Sequence, residues 1–257
     1  MLPFLLIQTR ADDAVAADEL RSTTELGGFG AGELTTLRLD RVLDAGRPAS
    51  GPGVAALDWA AVLAGHSGVI VGGSPFNSSD PDELKSGLQV SVEAELGRLL
   101  DVVMDRDVPF LGACYGVGTL GAHQGAHVDA TYGEPAGAVT LHVTEAGRQD
   151  PLLAGVEPRF TAFVGHKEAI RALPGHAEVL VAGEACPVQM FRIGAHQYAT
   201  QFHPELDLEG LLYRLEIYAD HGYYDPAEAE ELFARVRAAT VTEPRKVLDN
   251  FRRRYAR

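Results

Sequence analysis

Two regimes of apolar patterning alternate along the chain. Short strand-length segments rich in apolar residues, at Phe4–Gln8 and at residues 34–39, 68–71, 108–113 and 198–202, are separated by longer segments, several of them amphipathic. Within residues 91–104, Val92, Leu96, Leu99, Leu100 and Val103 recur at helical spacing, with Glu93, Glu95 and Arg98 on the other face. Continuous apolar strands separated by helices predict a parallel sheet covered on both faces. The middle of the chain differs. Residues 139–143, 160–164, 179–181 and 188–193 alternate over short stretches with few helix signals, which predicts an antiparallel or mixed extension of the sheet. From Leu208 the pattern is helical again. Asp225, Pro226 and Glu228 read as a helix start, and a further helix follows Glu243-Pro244. The expected architecture is α/β: an open, mostly parallel sheet with helices on both faces over residues 1–221. A helical extension, residues 222–257, packs on it or projects from it.

Charge and composition narrow the function. Of 257 residues, 46% are hydrophobic, and Asp plus Glu (36) outnumber Lys plus Arg (22), giving −14. That balance argues against nucleic acid and anionic membranes as partners. The last thirteen residues run the other way, with Arg245, Lys246, Arg252, Arg253, Arg254 and Arg257 against Asp249. This reads as a solvated helix with its cations near a C-terminus; a self-association surface, as in a homodimer, is the alternative. Two cysteines exclude a disulfide-stapled scaffold, and no apolar run reaches the ~18 residues that span a bilayer. Residues 1–7 are apolar without a basic leader and read as a buried first strand, so the expected location is cytoplasmic.

The chemistry concentrates at strand ends. Gly112-Ala113-Cys114-Tyr115-Gly116 closes the run 108–113. A nucleophile flanked by glycines between strand and helix is an elbow, and the helix N-terminus behind it favours negative charge on the sulfur. The plainer alternative is a buried structural cysteine in a glycine-rich turn. His203-Pro204-Glu205 follows the run 198–202. A cysteine nucleophile needs a base, and the base an orienting group. Residues i and i+2 of an extended segment point the same way, so Glu205 reaches one imidazole nitrogen while the other faces Cys114. Gly72-Gly73-Ser74-Pro75, after residues 68–71, is placed to offer an oxyanion donor from Gly73, with the N–H of Tyr115 as the second. His123 and His127 have metal-ligand spacing, but Gly125 intervenes and no acidic third ligand is evident, so neither metal nor cofactor is expected. Cys186 before Pro187 reads as a buried small residue.

Together these motifs resemble the triad-type, class I glutamine amidotransferases, which have a flavodoxin-like fold. The amidotransferase domain of GMP synthases is the nearest look-alike. The likeness spans residues 68–206 and includes Val69-Ile-Val-Gly-Gly-Ser-Pro75, Val108-Pro-Phe-Leu-Gly-Ala-Cys-Tyr-Gly116, Gly165-His166, Cys186-Pro187 and Gln201-Phe-His-Pro-Glu205. It implies Cys114 as nucleophile, His203 as base then acid, Glu205 as orienter, and an oxyanion hole from Gly73 and Tyr115. It also implies substrate contacts around Ser74, Gly165, His166 and Lys167.

Two departures bear on the substrate. Gly118 stands where the family commonly has glutamine, and Lys167-Glu168 replaces a small residue followed by an acid. Gly118 is expected to leave a void beside the substrate, which Lys167 is best placed to fill. The resemblance implies glutamine hydrolysis through a γ-glutamyl thioester, with ammonia passing to a separate synthetase subunit. The departures keep open a stand-alone hydrolase of a γ-glutamyl amine or peptide. A non-catalytic binding protein is disfavoured by the complete Cys114, His203 and Glu205 set.

Overall fold

The computed structural model describes residues 1–44, 57–218 and 224–257. The apolar run Phe4–Gln8 is strand β1, buried throughout. It pairs in parallel with β2 (Leu34–Arg38) and β3 (Val69–Val71). Next come β4 (Phe110–Ala113) and β11 (Gln197–Thr200), also parallel. The order β2-β1-β3-β4-β11 is the flavodoxin-like doubly wound arrangement, which gathers the strands' carboxyl ends at one edge. Four antiparallel neighbours extend it in the order β10 (Met190–Ile193), β9 (Ala177–Gly183), β6 (Glu134–Val143) and β7 (Arg159–His166), making nine strands. This is the mixed extension that the middle of the sequence predicts. β5 (His127–Asp129) and β8 (Ala169–Ala172) form a separate pair.

Alternation along the strands splits the core in two. Leu5, Ile7, Val69, Val71 and Phe110 face α2 (Leu39–Asp44), α3 (Trp59–Ala64), α4 (Gly87–Asp105) and α5 (Tyr115–His123). Phe4, Leu6, Ile70, Leu111 and Tyr198 face the other way, against Val247, Leu248, Phe251 and Tyr255 of α9 (Arg245–Tyr255). Here α9 is a core helix: its apolar stripe closes the second face while its arginines line the outside. Arg252 Nε donates to the Gly27 carbonyl at 2.9 Å, and Leu2 N–H donates to the Arg257 carbonyl. A third cluster joins α7 (Leu208–Ile217) and α8 (Ala229–Ala238) to Ala136 and Phe163.

Local chemistry sets the helix starts. Asp12 Oδ1 accepts from the N–H groups of Ala14 and Val15 to open α1 (Asp13–Leu26), and Asp207 opens α7 through Gly210 N–H at 2.7 Å. Asp225 caps a single 3₁₀ turn, with α8 beginning only at Ala229. The expected boundary at residues 221/222 lies outside the described residues. α4 starts at Gly87, ahead of the predicted segment, because Ser86 caps it. Glu95, placed on the polar face by periodicity, is buried; its carboxylate accepts from Trp59 Nε1 at 3.0 Å and pairs with Arg98. Among the described residues, no helix is long and apolar enough to cross a membrane.

Candidate active site

The carboxyl ends of β3, β4 and β11 deliver Gly73, Cys114 and His203 to one cavity. Cys114 caps α5 at φ 53°, ψ −89°, and is one of two described non-glycine residues with positive φ. The turn is tight: a Cβ on Gly112 would lie 2.7 Å from the Cα of Gly116. Such a conformation costs on the order of 1–3 kcal/mol and lifts the side chain clear of the strand. The flanking backbone holds it, with Cys114 N–H donating to the Thr200 carbonyl at 2.7 Å.

His203 leaves β11 with its N–H tied to the Phe163 carbonyl at 3.0 Å. Its Nδ1 donates to Glu205 Oε1 at 2.7 Å, which leaves Nε2 for the cavity that His203 shares with Cys114. Burial works against a charged imidazole. The Glu205 carboxylate, the Cys114 sulfur and the two hydrogen bonds outweigh it and raise the His203 pKa to about 9. Burial likewise opposes the charge on Glu205, yet His203 and Arg214 hold its carboxyl well below the usual range. Tyr115 follows Cys114 as the first residue of α5, so its N–H has no acceptor within the helix, and Gly73 lines the same cavity as Cys114.

A buried charge network, not anticipated from the sequence, backs this constellation. Arg10 pairs with Glu19 at 3.1 Å, and Gln8 Nε2 donates to Glu19 Oε2, also at 3.1 Å. Arg214 Nη1 donates to Glu205 Oε1 at 3.3 Å, and its Nη2 lies 3.9 Å from Glu19 Oε1. The residues alternate in sign from Arg10 to His203. One signal was available for Arg214: it falls on the apolar stripe of Leu211 and Leu215, where a cation breaks the pattern.

The remaining predicted contacts divide. Ser74 and Gly165 line the cavity, although Ser74 Oγ accepts from Phe76 N–H at 3.2 Å. His166 is buried, with Nδ1 on the Glu168 carbonyl at 2.9 Å and Nε2 on Glu134 at 3.0 Å. Lys167 is exposed and lines a different cavity, with Tyr224 and Asp225. The expected void at Gly118 is absent. A Cβ there would overlap Ser78 Oγ and sit 2.8 Å from Glu168 Oε1. Glu168, not Lys167, takes the space, and its carboxylate accepts from the N–H groups of Ser78 and Ser79 at 2.8 and 2.7 Å.

Glu134, His166 and Cys186 place potential ligand atoms within 4.8 Å of one another. Hydrogen bonds account for the group: both His166 nitrogens are engaged, Gln189 Nε2 donates to Glu134 at 2.6 Å, and Cys186 Sγ faces the Val188 carbonyl. Burial, followed by the Glu134 charge, pushes the Cys186 thiol up to about 12. His123 ends α5 and His127 opens β5, so they share no helix face.

A family model described as "Glutamine amidotransferase class-I" matches residues 56–210. Among curated relatives, the chain is 29% identical over 107 residues to a glutamine-hydrolysing GMP synthase subunit of Methanococcus maripaludis. That match covers 41% of this chain and 55% of the relative. It is 30% identical over 145 residues to a GMP synthase of Porphyromonas gingivalis, covering 56% of this chain and 26% of the relative. The match therefore spans about half the first relative and a quarter of the second. A solved glutamine amidotransferase of Thermotoga maritima superposes with a TM-score of 0.70 at 17% identity, covering 99% of this chain and 98% of that one. One from Methylobacillus flagellatus gives 0.66 at 17%, covering 99% and 94%.

Proposed function

Because the chain belongs to the glutamine amidotransferase class-I family, we propose that it hydrolyses the side-chain amide of glutamine through a thioester on Cys114 and passes the ammonia to a separate synthetase. The observation that carries this reading is the His203 ring, held by Glu205 at Nδ1 and lining one cavity with the Cys114 sulfur.

His203 already holds the thiol proton as an imidazolium when the sulfur attacks the amide carbon. The oxygen of the tetrahedral intermediate points to the N–H groups of Gly73 and Tyr115. On collapse the C–N bond breaks, and His203 Nε2 gives its proton to the departing nitrogen, releasing ammonia. Water then adds to the thioester carbon, with His203 accepting its proton, and glutamate leaves as the C–S bond breaks, which restores the thiolate beside the imidazolium. Glu205 fixes the ring orientation and stabilises the imidazolium without taking the proton. The Methanococcus relative is named as one subunit of a glutamine-hydrolysing GMP synthase, which supports an acceptor synthetase on another chain.

A second reading is hydrolysis of a larger γ-glutamyl amine. Two buried arginines beside the sulfur favour it. Release of ammonia and glutamate from glutamine, measured on the wild-type chain and on Cys114→Ala, tests the first reading. A panel of γ-glutamyl amides tests the second. Turnover retained in Cys114→Ala would overturn both.

A further inference from the structure

Two helices turn a charge inward where their spacing calls for an apolar residue. The buried face of α1 is Val15, Ala16, Glu19, Ser22 and Thr23, and Glu19 is fully enclosed. On α7 the buried face is Gly210, Leu211, Arg214 and Leu215. The polar end of β1 meets both, since Gln8 and Arg10 are buried as well. Gln8 Nε2 donates to the Ala16 carbonyl at 2.7 Å and to Glu19 Oε2 at 3.1 Å, which orients the carboxylate. Glu19 Oε1 then faces two cations: it accepts from Arg10 Nε at 3.1 Å and lies 3.9 Å from Arg214 Nη2. Arg10 and Arg214 thus share one carboxylate. Glu205 supplies the second negative charge, and the four ions balance.

Each arm of this cluster ends at a part of the active site. Arg10 Nη2 fills the space where a Cβ on Gly73 would stand, and the Glu19 carboxylate does the same at Gly72. On the other arm, Arg214 Nη1 donates to Glu205 Oε1 at 3.3 Å, the oxygen that accepts from His203 Nδ1 at 2.7 Å. Gly73 follows β3 and His203 follows β11, so the two arms join segments far apart in sequence. Burying ions costs solvation that their attraction only partly returns, and an apolar cluster of the same volume is often as stable. Fold stability alone therefore does not explain the four charges. The charged and titratable groups around the His203 ring are Glu205 on its own segment, Cys114 between β4 and α5, Arg214 and Tyr218 on α7, and Arg10 after β1, with Glu19 of α1 behind the arginines. The lining residues of β6 and β7, Ala136, Val164 and Gly165, carry no charge.

We propose that Glu19 is a positioning residue: one buried carboxylate that seats Arg10 under the Gly73 turn and Arg214 against Glu205, and so holds the oxyanion turn and the base in place together. The proposal rests on the thioester reading, in which Gly73 and His203 serve the reacting atoms. Glu19 touches no substrate and acts through the two arginines. Removing its charge leaves two buried guanidinium groups with Glu205 as their shared counter-ion. Arg10 then loses its seat under Gly73, and Arg214 competes with His203 for the same carboxylate oxygen. The added positive charge and the competition both disfavour the imidazolium, so the ring titrates at lower pH.

The test is Glu19→Gln, which keeps the size of the side chain and removes the charge. On glutamine, or on the γ-glutamyl amide that the wild-type chain prefers, kcat falls about tenfold or more while KM moves by less than about threefold, because the lost contacts serve the transition state. The His203 midpoint is read without substrate, by NMR titration of the imidazoles with His203→Asn assigning the signal. It falls by about half a unit or more in Glu19→Gln. Adding Arg214→Gln restores the charge balance: the midpoint climbs back toward the wild-type value while kcat stays low. This balanced pair carries the test if the single variant does not fold. A midpoint unmoved in Glu19→Gln, a midpoint no higher in the pair than in the single variant, or kcat per folded chain at the wild-type level in either one overturns the proposal, and a lowered Tm by itself then marks a purely structural carboxylate. A wild-type chain that turns over neither glutamine nor any γ-glutamyl amide overturns the thioester reading instead, and the role of Glu19 with it. The midpoints need no substrate and tell the two failures apart.

Discussion

Arg10 lies with Nη2 against the Cα of Gly73, so close that a Cβ at position 73 would overlap it. Glu19 closes the neighbouring position in the same way, standing 2.6 Å from where a Cβ on Gly72 would sit. The Gly-Gly turn is thus needed for two reasons. It makes room for a buried ion pair beneath, and in the proposed mechanism it also offers an N–H to the oxyanion. Gly73→Ala is expected to push the Arg10 guanidinium aside and displace the N–H. A single oxyanion donor is worth roughly a hundredfold or more in kcat. Steady-state kinetics should show a loss of at least that size, with a lower Tm because the Arg10–Glu19 pair is disturbed. Retention of full activity would mean that Gly73 N–H is not a donor.

The His203 pair sets the pH response. With its pKa at about 9, the imidazolium needed to protonate the leaving nitrogen is lost as pH rises through that value. The kcat/KM profile should fall on the alkaline side near pH 9. A raised pKa also stabilises the fold: the contribution is complete below the ordinary value of about 6.5 and disappears as pH climbs through about 9. Glu205→Gln removes the largest interaction holding the proton on. The alkaline limb and the loss of Tm should both move to lower pH in that variant, as pH–rate profiles and thermal melts would show.

Backbone strain at Cys114 gives a separate readout. Cys114→Ala and Cys114→Gly both remove the sulfur and should abolish turnover. They differ in the φ 53°, ψ −89° conformation, which strains alanine and not glycine. Relief of roughly 1–3 kcal/mol exceeds the roughly 0.5–1 kcal/mol that glycine loses through unfolded-state entropy. Cys114→Gly should therefore melt above Cys114→Ala. The reverse order in calorimetry would show that the elbow is not strained.

Legibility in the sequence followed distance along the chain. Strands β1, β3 and β4 are legible as nearly continuous apolar runs and β11 as a short buried stretch around Tyr198 and Ala199, and the carboxyl ends of β3, β4 and β11 carry the short motifs around Gly73, Cys114 and His203. His203 and Glu205 are two residues apart, so an extended backbone alone puts them on one side. Arg10, Glu19 and Arg214 were not visible as a group, because each reads as an ordinary surface charge until α1 and α7 pack together. Glu95 failed for a related reason: periodicity sorts faces by polarity, and only the tertiary contact with Trp59 reveals a carboxylate turned inward. The arginine-rich end was read by charge alone, although residues 247, 248, 251 and 255 already trace the stripe that α9 buries.

Gly118 tests how the site replaces a missing side chain. The position lies on α5, one turn beyond Cys114, and has no spare volume: Ser78 Oγ and Glu168 Oε1 occupy it. Glu168 in turn fixes the loop after Gly73 through the N–H groups of Ser78 and Ser79. A glutamine introduced at 118 must evict a buried carboxylate that accepts three hydrogen bonds, each worth about 1.5–3 kcal/mol to a charged acceptor. Gly118→Gln should accordingly lower both Tm and kcat/KM instead of improving glutamine turnover. Glu168→Ala in the same chain opens the space and frees the loop. If the clash with Glu168 is the cause, Gly118→Gln combined with Glu168→Ala should be less destabilised than the sum of the two single variants, a coupling that a double-mutant cycle on thermal stability measures directly. Additive losses, or a gain of glutamine turnover in Gly118→Gln alone, would show that Glu168 does not take the place of the missing side chain.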